Sequence, residues 1–394
     1  MAPKPIRILI CSPYYWPATR YGGPVQSIHG LAKALVALGH TVRVFTTNMD
    51  GAERLPYSDG AEVERDGVNV RYFAVDRFAR LFYAPGMKAA AAQTLEITDI
   101  VHLNGAYLWP MPMMAKQAQR HGLPYLYSPR GMLLPDLIEG RSKWVKKAWI
   151  TAFERSLIAK AAALHATAEA EAQGLTKLFP GAPGTYTIGN GVVAPGLSEN
   201  FNTLPFWPAN STGRRIAFLG RLDWMKGVDL LLDTVANLPD AQLSIAGPDY
   251  DGIKAQLAMQ AQDLGISHRV RFLGKLDGEK KWQFLNSADC VVIPSQHESF
   301  GMTLVEAMAV GTPVVTSASV GASAVLAQVD AQSIVQRNAH EFAERVGHLL
   351  DNHDERAAIG RAAKAHVEQN HSWASIASHF VSVYETCIGT QNAP

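Results

Sequence analysis

Two glutamates, Glu298 and Glu306, stand eight positions apart in the stretch QHESFGMTLVEAMAVGTPVV, on either side of a Ser-Phe-Gly turn. If both were helical, their backbones would be roughly 12 Å apart. Paired carboxylates that cleave a glycosidic bond lie about 5 to 9.5 Å apart. The spacing therefore favours two hydroxyl-binding carboxylates spread along an extended ligand, although either glutamate taken singly also reads as a solvated surface residue. Between them, Ser299 or a neighbour is expected to cap a helix whose first turn holds Phe300, Gly301 and Met302. Backbone N–H groups in a first turn lack intrahelical partners, so the helix start attracts an anion such as phosphate.

Upstream, LGRLDWMKG places Arg221 and Lys226 just after a strand-like run, with Gly220 and Gly227 alongside. An arginine fork and a lysine point charge suit a diphosphate, because charge-assisted bonds are about twice as strong as neutral ones. A turn with two exposed cations is the other reading. Near the N-terminus, Gly22 and Gly23 directly precede a helix-like segment. Without Cβ atoms they permit close backbone approach to a phosphate or sugar, and equally a plain tight turn.

These groups need a scaffold, and the hydrophobic pattern supplies one. IRILICS, then an amphipathic VQSIHGLAKALVALG, then TVRVFTT reads as strand, helix, strand, and the rhythm recurs to about residue 190. From RRIAFLGRL onward a second βα series begins, running through AQLSIAGP, VRFLGKL and DCVVIPS. The fold class expected is α/β, with two doubly wound, Rossmann-like domains. Residues 1–190 form the first, 191–212 a linker rich in Gly, Pro, Asn and Ser, and 213–372 the second; 373–394 is a helix that packs on either. Open α/β sheets bind ligands beyond the carboxyl ends of their strands, so a ligand is expected in a cleft between the domains.

Composition agrees with a large, buried core: 394 residues, 47% apolar, with 32 glycines and 22 prolines. A net charge of +1 gives no reason to expect nucleic acid. Cys11, Cys290 and Cys387 lie apart in apolar runs, which suits buried thiols in a reducing compartment and no zinc framework. The opening MAPKPIRILICS reads as a buried strand, not a signal peptide, and no apolar run approaches the roughly 18 residues of a membrane span. A cytoplasmic protein is expected. One local patch stands out: Arg141, Lys143, Lys146 and Lys147 alternate with Trp144, Trp149 and Phe153. As a basic amphipathic helix this segment suits peripheral contact with the anionic inner face of the cell membrane, or a solvated face over a core stripe.

Taken in order, the GG loop, the NGV at Asn190 to Val192, the GR and KG around Arg221 and Lys226, the ESFG turn with its Glu pair, and the SW opening the last helix resemble the retaining GT-B glycosyltransferases of carbohydrate-active family 4, the glycosyl transferases group 1. The resemblance spans nearly the whole chain. It implies that Glu306 holds the ribose of a nucleotide and that Glu298, with the Phe300 and Gly301 backbone, holds the donor sugar. Arg221 and Lys226 would then neutralise the leaving diphosphate, aided by the N–H groups of Met302, Thr303 and Leu304, while Gly220 lies alongside and Gly22 and Gly23 close over it. A retaining, metal-independent hexosyl transfer from a UDP-sugar or GDP-sugar is implied, with no cofactor. The acceptor would be a glycan or a polyprenyl-diphosphate-linked sugar in surface polysaccharide or glycolipid synthesis. Alternatives on the same fold are a non-catalytic nucleotide-sugar-binding subunit, an epimerase or a phosphorylase.

The sequence departs from the family in the segment TSASVGASAVLAQVDAQSIV, which lacks the Gly-Gly and Glu often found there, and at two histidine positions. Arg130 stands where relatives carry a histidine; it cannot act as a base and is read either as an anion ligand or as part of a structural ion pair. The usual HxH reads His102, Leu103, Asn104, which leaves His102 a weak candidate for catalysis.

Overall fold

The computed structural model describes residues 4–140, 142–195, 206–207 and 214–391. The expected linker falls largely on 196–205 and 208–213, and Arg141 belongs to the basic patch; these lie outside the described residues. The chain divides into two compact units, one of Met1–Gly191 with Trp373–Pro394, the other of Val192–Ser372.

The first unit carries strands β1 (Arg7–Cys11), β2 (Thr41–Thr47), β3 (Met49–Asp50), β4 (Glu53–Arg54), β5 (Ala61–Arg65), β6 (Val68–Phe73), β7 (Ile100–Asn104), β8 (Tyr125–Ser128), β9 (Ala163–Ala166) and β10 (Thr185–Thr187). Eight of them form one sheet in the order β10-β9-β8-β7-β1-β2-β6-β5, with β3 and β4 paired separately. All neighbours in the large sheet are parallel except β5 and β6. The inner strands are buried on both faces and so read as unbroken apolar runs. β5, AEVER, alternates partly buried and exposed residues, as an antiparallel edge strand with one wet face does.

Successive β1 side chains point to opposite faces. Leu9 and Cys11 join a core with Val101, Leu103 and Tyr127 on one side. Ile8 and Ile10 join Val42, Val44 and Leu126 on the other. The second core is closed by the helix Gly23–Ala37 and by Ile376, Phe380 and Tyr384 of the helix Trp373–Gln391, so the last helix is a structural part of the first unit.

The second unit has six strands: β11 (Arg215–Leu219), β12 (Gln242–Ala246), β13 (Val270–Gly274), β14 (Cys290–Ile293), β15 (Val314–Ser317) and β16 (Ile334–Val335). They are all parallel, in the order β13-β12-β11-β14-β15-β16. Counted within the unit this is 3-2-1-4-5-6, the Rossmann order. The direction of winding reverses between β11 and β14, and a crevice opens beyond their carboxyl ends at such a reversal. In the first unit the same reversal falls between β1 and β7. All three cysteines are buried and unpaired. Among the described residues no helix is long and apolar enough to cross a membrane.

Candidate functional site

The segments that follow β11 and β14 carry most of the expected site residues, and hydrogen bonds tie them together. After β11, Asp223 caps a short turn, its Oδ1 accepting from the Met225 N–H at 3.0 Å. The Met225 carbonyl in turn accepts from the N–H of Gln296, in the loop after β14, at 2.7 Å. Gly227 ends the turn with φ +67°, where a Cβ would lie 2.4 Å from the Pro294 carbonyl oxygen. Only glycine lets the two loops approach this closely.

This arrangement places Lys226 on Glu298. The Lys226 Nζ lies 2.9 Å from Glu298 Oε1, and the Ser295 hydroxyl donates to the same oxygen at 2.7 Å. Lys226 is therefore not the lone point charge expected from its spacing to Arg221: its charge is balanced by the carboxylate of the ESFG turn. An ammonium has three donors, so one bond to Glu298 leaves two for a ligand. Arg221 is 58% exposed, with Asp223 Oδ2 at 3.5 Å as its ion-pair partner.

The helix between the glutamates differs in detail from the expectation. It runs Met302–Ala309, and its cap is Gly301, at φ +96°, with no side-chain cap bond. Phe300 precedes the helix and is buried, and Ser299 is not the cap. The reason lies in a tight contact: a Cβ at residue 301 would fall 2.6 Å from Val320 Cγ1, and 3.5 Å from Glu298 Oε2. Glycine alone fits, and it brings the helix start against the Glu298 carboxylate. The Leu304 N–H donates to the Gly301 carbonyl at 3.0 Å, which withdraws it from the set of amides expected to meet a phosphate and leaves Met302 and Thr303 at the dipole's positive end. The Thr303 hydroxyl donates to the Leu219 carbonyl at 3.0 Å, which pins this helix end to the end of β11 beside Gly220.

Glu306 is buried and pairs with Lys281, Nζ to Oε1 2.8 Å. The Lys281 ammonium also sits 4.4 Å from the Trp282 ring centroid. Lys281 is a partner that sequence reasoning missed. It lies 25 residues from Glu306, in the helix Glu279–Asn286, and no local spacing links the two. Asp223 and Ser295 were also missed; an Asp two residues before a turn amide is a legible signal, a lone Ser is not.

In the first unit, Gly22 caps the helix Gly23–Ala37 at φ +72°, and a Cβ there would meet nothing within 4 Å. Arg130 follows β8 in a left-handed conformation, φ +56°. Its Nε donates to Asn104 Oδ1 at 2.9 Å and its Nη1 to Asn190 Oδ1 at 3.2 Å. Two neutral amides thus orient the guanidinium in place of the ion pair, and among the described residues no carboxylate lies within ion-pair distance of it.

His102 is fully buried in a hydrogen-bonded chain. Nδ1 lies 2.8 Å from the Tyr384 hydroxyl and Nε2 2.7 Å from Ser128 Oγ, which lies 2.7 Å from His165 Nδ1. The His165 Nε2 contacts the Ile188 carbonyl at 2.8 Å. A carbonyl only accepts, so His165 carries its proton on Nε2, and the donors run in one direction from Tyr384 through His102 and Ser128. Both imidazoles are neutral. Burial lowers the pKa of each, His165 to about 3 and His102 well below its ordinary value. A residue so enclosed does not meet substrate, which removes His102 as a catalytic candidate.

The basic patch is also altered. Helix Lys143–Trp149 passes into a π-helical turn, Ile150–Glu154, before resuming as Arg155–Ala159. The buried Glu154 carboxylate explains this bulge, accepting from Tyr107 N–H, the Tyr127 hydroxyl and Trp149 Nε1 at 2.9, 2.7 and 3.0 Å. Lys143 and Lys147 both pair with Glu139 at 2.6 Å, and Lys146 donates to the Leu137 carbonyl. These lysines are engaged with the protein itself.

Comparisons with known proteins agree with this architecture. Residues 22–191 match the glycosyl transferase 4-like domain and residues 202–366 match glycosyl transferases group 1. A D-inositol 3-phosphate glycosyltransferase of Corynebacterium kroppenstedtii is 37% identical over 185 residues, 44% of this chain and 40% of that protein. The match therefore spans about two fifths of that relative's length. Among solved structures, sucrose-phosphate synthase from Thermosynechococcus elongatus superposes with a TM-score of 0.76 at 20% identity, over 98% of this chain and all of that one. Anabaena HepE in complex with UDP and glucose gives 0.74 at 21% identity, over 97% of this chain and 100% of that one. At such identities the structures speak for the fold; the first family match ends at residue 191, where the two compact units divide, the second begins at residue 202 inside the second unit, and the chain belongs to the group 1 glycosyltransferases and has the GT-B fold.

Proposed function

We propose that this chain transfers a hexosyl group from a UDP-sugar or GDP-sugar to a hydroxyl of a glycan or polyprenyl-diphosphate-linked acceptor, with retention of configuration and no metal requirement. The observation that carries the reading is the ionic cluster at the winding reversal of the second unit. Lys226 on Glu298, Arg221, the open helix start at Met302 and Thr303, and the buried Glu306–Lys281 pair are joined there by hydrogen bonds and close packing. The group 1 family match and the UDP bound in the HepE structure support it.

In this reading Glu306 accepts from the ribose hydroxyls and Glu298 from the donor sugar. Lys226, Arg221 and the helix start receive the negative charge that builds on the diphosphate as the anomeric C–O bond breaks. The new bond forms between the acceptor oxygen and the anomeric carbon, on the face the diphosphate leaves. The acceptor proton passes to a phosphate oxygen and the nucleoside diphosphate departs. Arg130 binds an anionic group, and the Gly22 and Gly23 backbone admits a close ligand. The setting is the cytoplasmic side of the membrane, in surface polysaccharide or glycolipid synthesis.

The test is incubation with UDP- and GDP-hexoses, with and without glycan and polyprenyl-diphosphate-sugar acceptors, following nucleotide release and the product's anomeric coupling constant. Donor-dependent release that persists in EDTA, with a retained anomer, is expected. No release with any donor overturns the activity, an inverted anomer overturns retention, and loss in EDTA overturns metal independence.

A further inference from the structure

A cavity in the first unit lies apart from the winding reversal. It measures about 720 Å³ and lies between the helices Pro85–Leu95, Pro110–Arg120 and the run Ile150–Ala159. Four cations line it, Lys88, Lys116, Arg120 and Lys160, and no carboxylate does. Among the described residues none of the four has a carboxylate partner within ion-pair distance. The contrast with Lys143 and Lys147, which share Glu139 one helical segment away, is direct. Lys116 and Arg120 stand four residues apart on one helix, where like charges repel by a few tenths of a kcal/mol. The fold thus gathers positive charge here without neutralising it.

The cavity also has an aromatic wall of Tyr83, Trp109 and Phe153. Tyr83 and Trp109 ring centroids are 5.8 Å apart, and Trp109 and Phe153 6.2 Å. Trp144, 77% exposed, and Val145, 71% exposed, lie on the helical run that leads into it. A ring face or apolar body can pack on the aromatic wall while cations hold an anion at the rim, and the volume falls within the few-hundred to 1,000 Å³ range of ligand sites. Multivalent oxyanions match such cation clusters through charge-assisted bonds.

We propose that this groove binds a phosphate ester carried on a ring or apolar body, at a site separate from the nucleotide-sugar cluster of the second unit. The phosphate ester could belong to a free sugar phosphate or to a phospholipid headgroup, and two arms distinguish them. Calorimetric titration of the full chain with glucose 1-phosphate tests the first. Co-flotation with vesicles of phosphatidylcholine containing one fifth phosphatidylglycerol tests the second. Binding in at least one arm is expected, weakened at least tenfold by K116Q/R120Q and less than twofold by K143Q/K147Q, with UDP-sugar affinity unchanged in both variants. Absence of binding in both arms, binding unaffected by K116Q/R120Q, or a larger loss with K143Q/K147Q overturns the proposal. Should K116Q/R120Q fold poorly, K88Q/K160Q removes the other two cations, and the same outcomes apply.

Discussion

The two units share a parallel sheet and a winding reversal, yet the buried side-chain networks near it differ in charge, the Arg130 guanidinium after β8 aside. In the first, the carboxyl ends of β7 and β8 are bridged by a neutral chain, Tyr384, His102, Ser128 and His165, every donor of which has an acceptor. In the second, the corresponding region holds ion pairs, Lys226 with Glu298 and Lys281 with Glu306. A neutral, satisfied network rigidifies a sheet and offers little to a charged ligand. Ion pairs can exchange a partner for a phosphate or a hydroxyl. Under the proposed function the first network is scaffold and the second meets the ligand.

The largest expected effect tests the second half of that contrast. K226A is expected to lower kcat/KM for donor by about 10² to 10³, the scale of losing one donor to a developing anion. Nucleotide-release kinetics on protein with unchanged circular dichroism measure it, and a change under threefold would remove the ionic cluster from the reaction.

Acid should separate the units next. Both buried imidazoles are neutral in the fold, with pKa values far below the roughly 6.5 of the unfolded chain. Their stabilisation is complete above that value and is lost as pH falls below it, because only the unfolded state takes up protons there. Each loses about 1.4 kcal/mol per pH unit. Glu154, raised by burial, works in the opposite sense and offsets part of this. A net loss of about 2–4 kcal/mol in the first unit between pH 7 and 5 is expected. Urea titrations at several pH values report it, and a flat midpoint for the first transition would contradict the neutral chain.

Cutting that chain with S128A leaves both histidine nitrogens without their partner and should cost about 1–3 kcal/mol, readable as a lower urea midpoint with unaltered donor kinetics. E306Q should weaken UDP binding about tenfold, near 1.4 kcal/mol, in calorimetry; unchanged affinity would detach the Glu306–Lys281 pair from the nucleotide. Smallest of all, K143Q/K147Q removes an exposed, solvent-screened pair with Glu139 and should leave thermal melting essentially unchanged; a clear drop in the melting temperature would show that this patch is structural.

Much of the scaffold was legible because parallel strands buried on both faces leave apolar runs, as in β1 and β14. The edge strand β5 was not, because AEVER has one wet face and carries no such run. At the site, the residue types were legible and several of their contacts were not. The ESFG turn pointed to Glu298 and Gly301, yet Gly301 caps the helix where Ser299 was expected, since the choice depended on contact with Val320 from a different segment. Arg130 read as half of a possible ion pair, and its partners proved to be amides from β7 and from Asn190.

The order of apolar runs, glycines and charged residues along the chain was enough to determine a tandem α/β protein with glycines and charged residues in the loops after its strands, because strand burial and turn geometry impose local rules on local sequence. Which cation meets which anion was decided only in three dimensions. Lys281 reaches Glu306 across 25 residues, and Tyr384 reaches His102 across 282. Hydrogen bonds and ion pairs act over a few ångströms of space, and the chain's own order carries no record of which distant residues the packed sheets will bring that close.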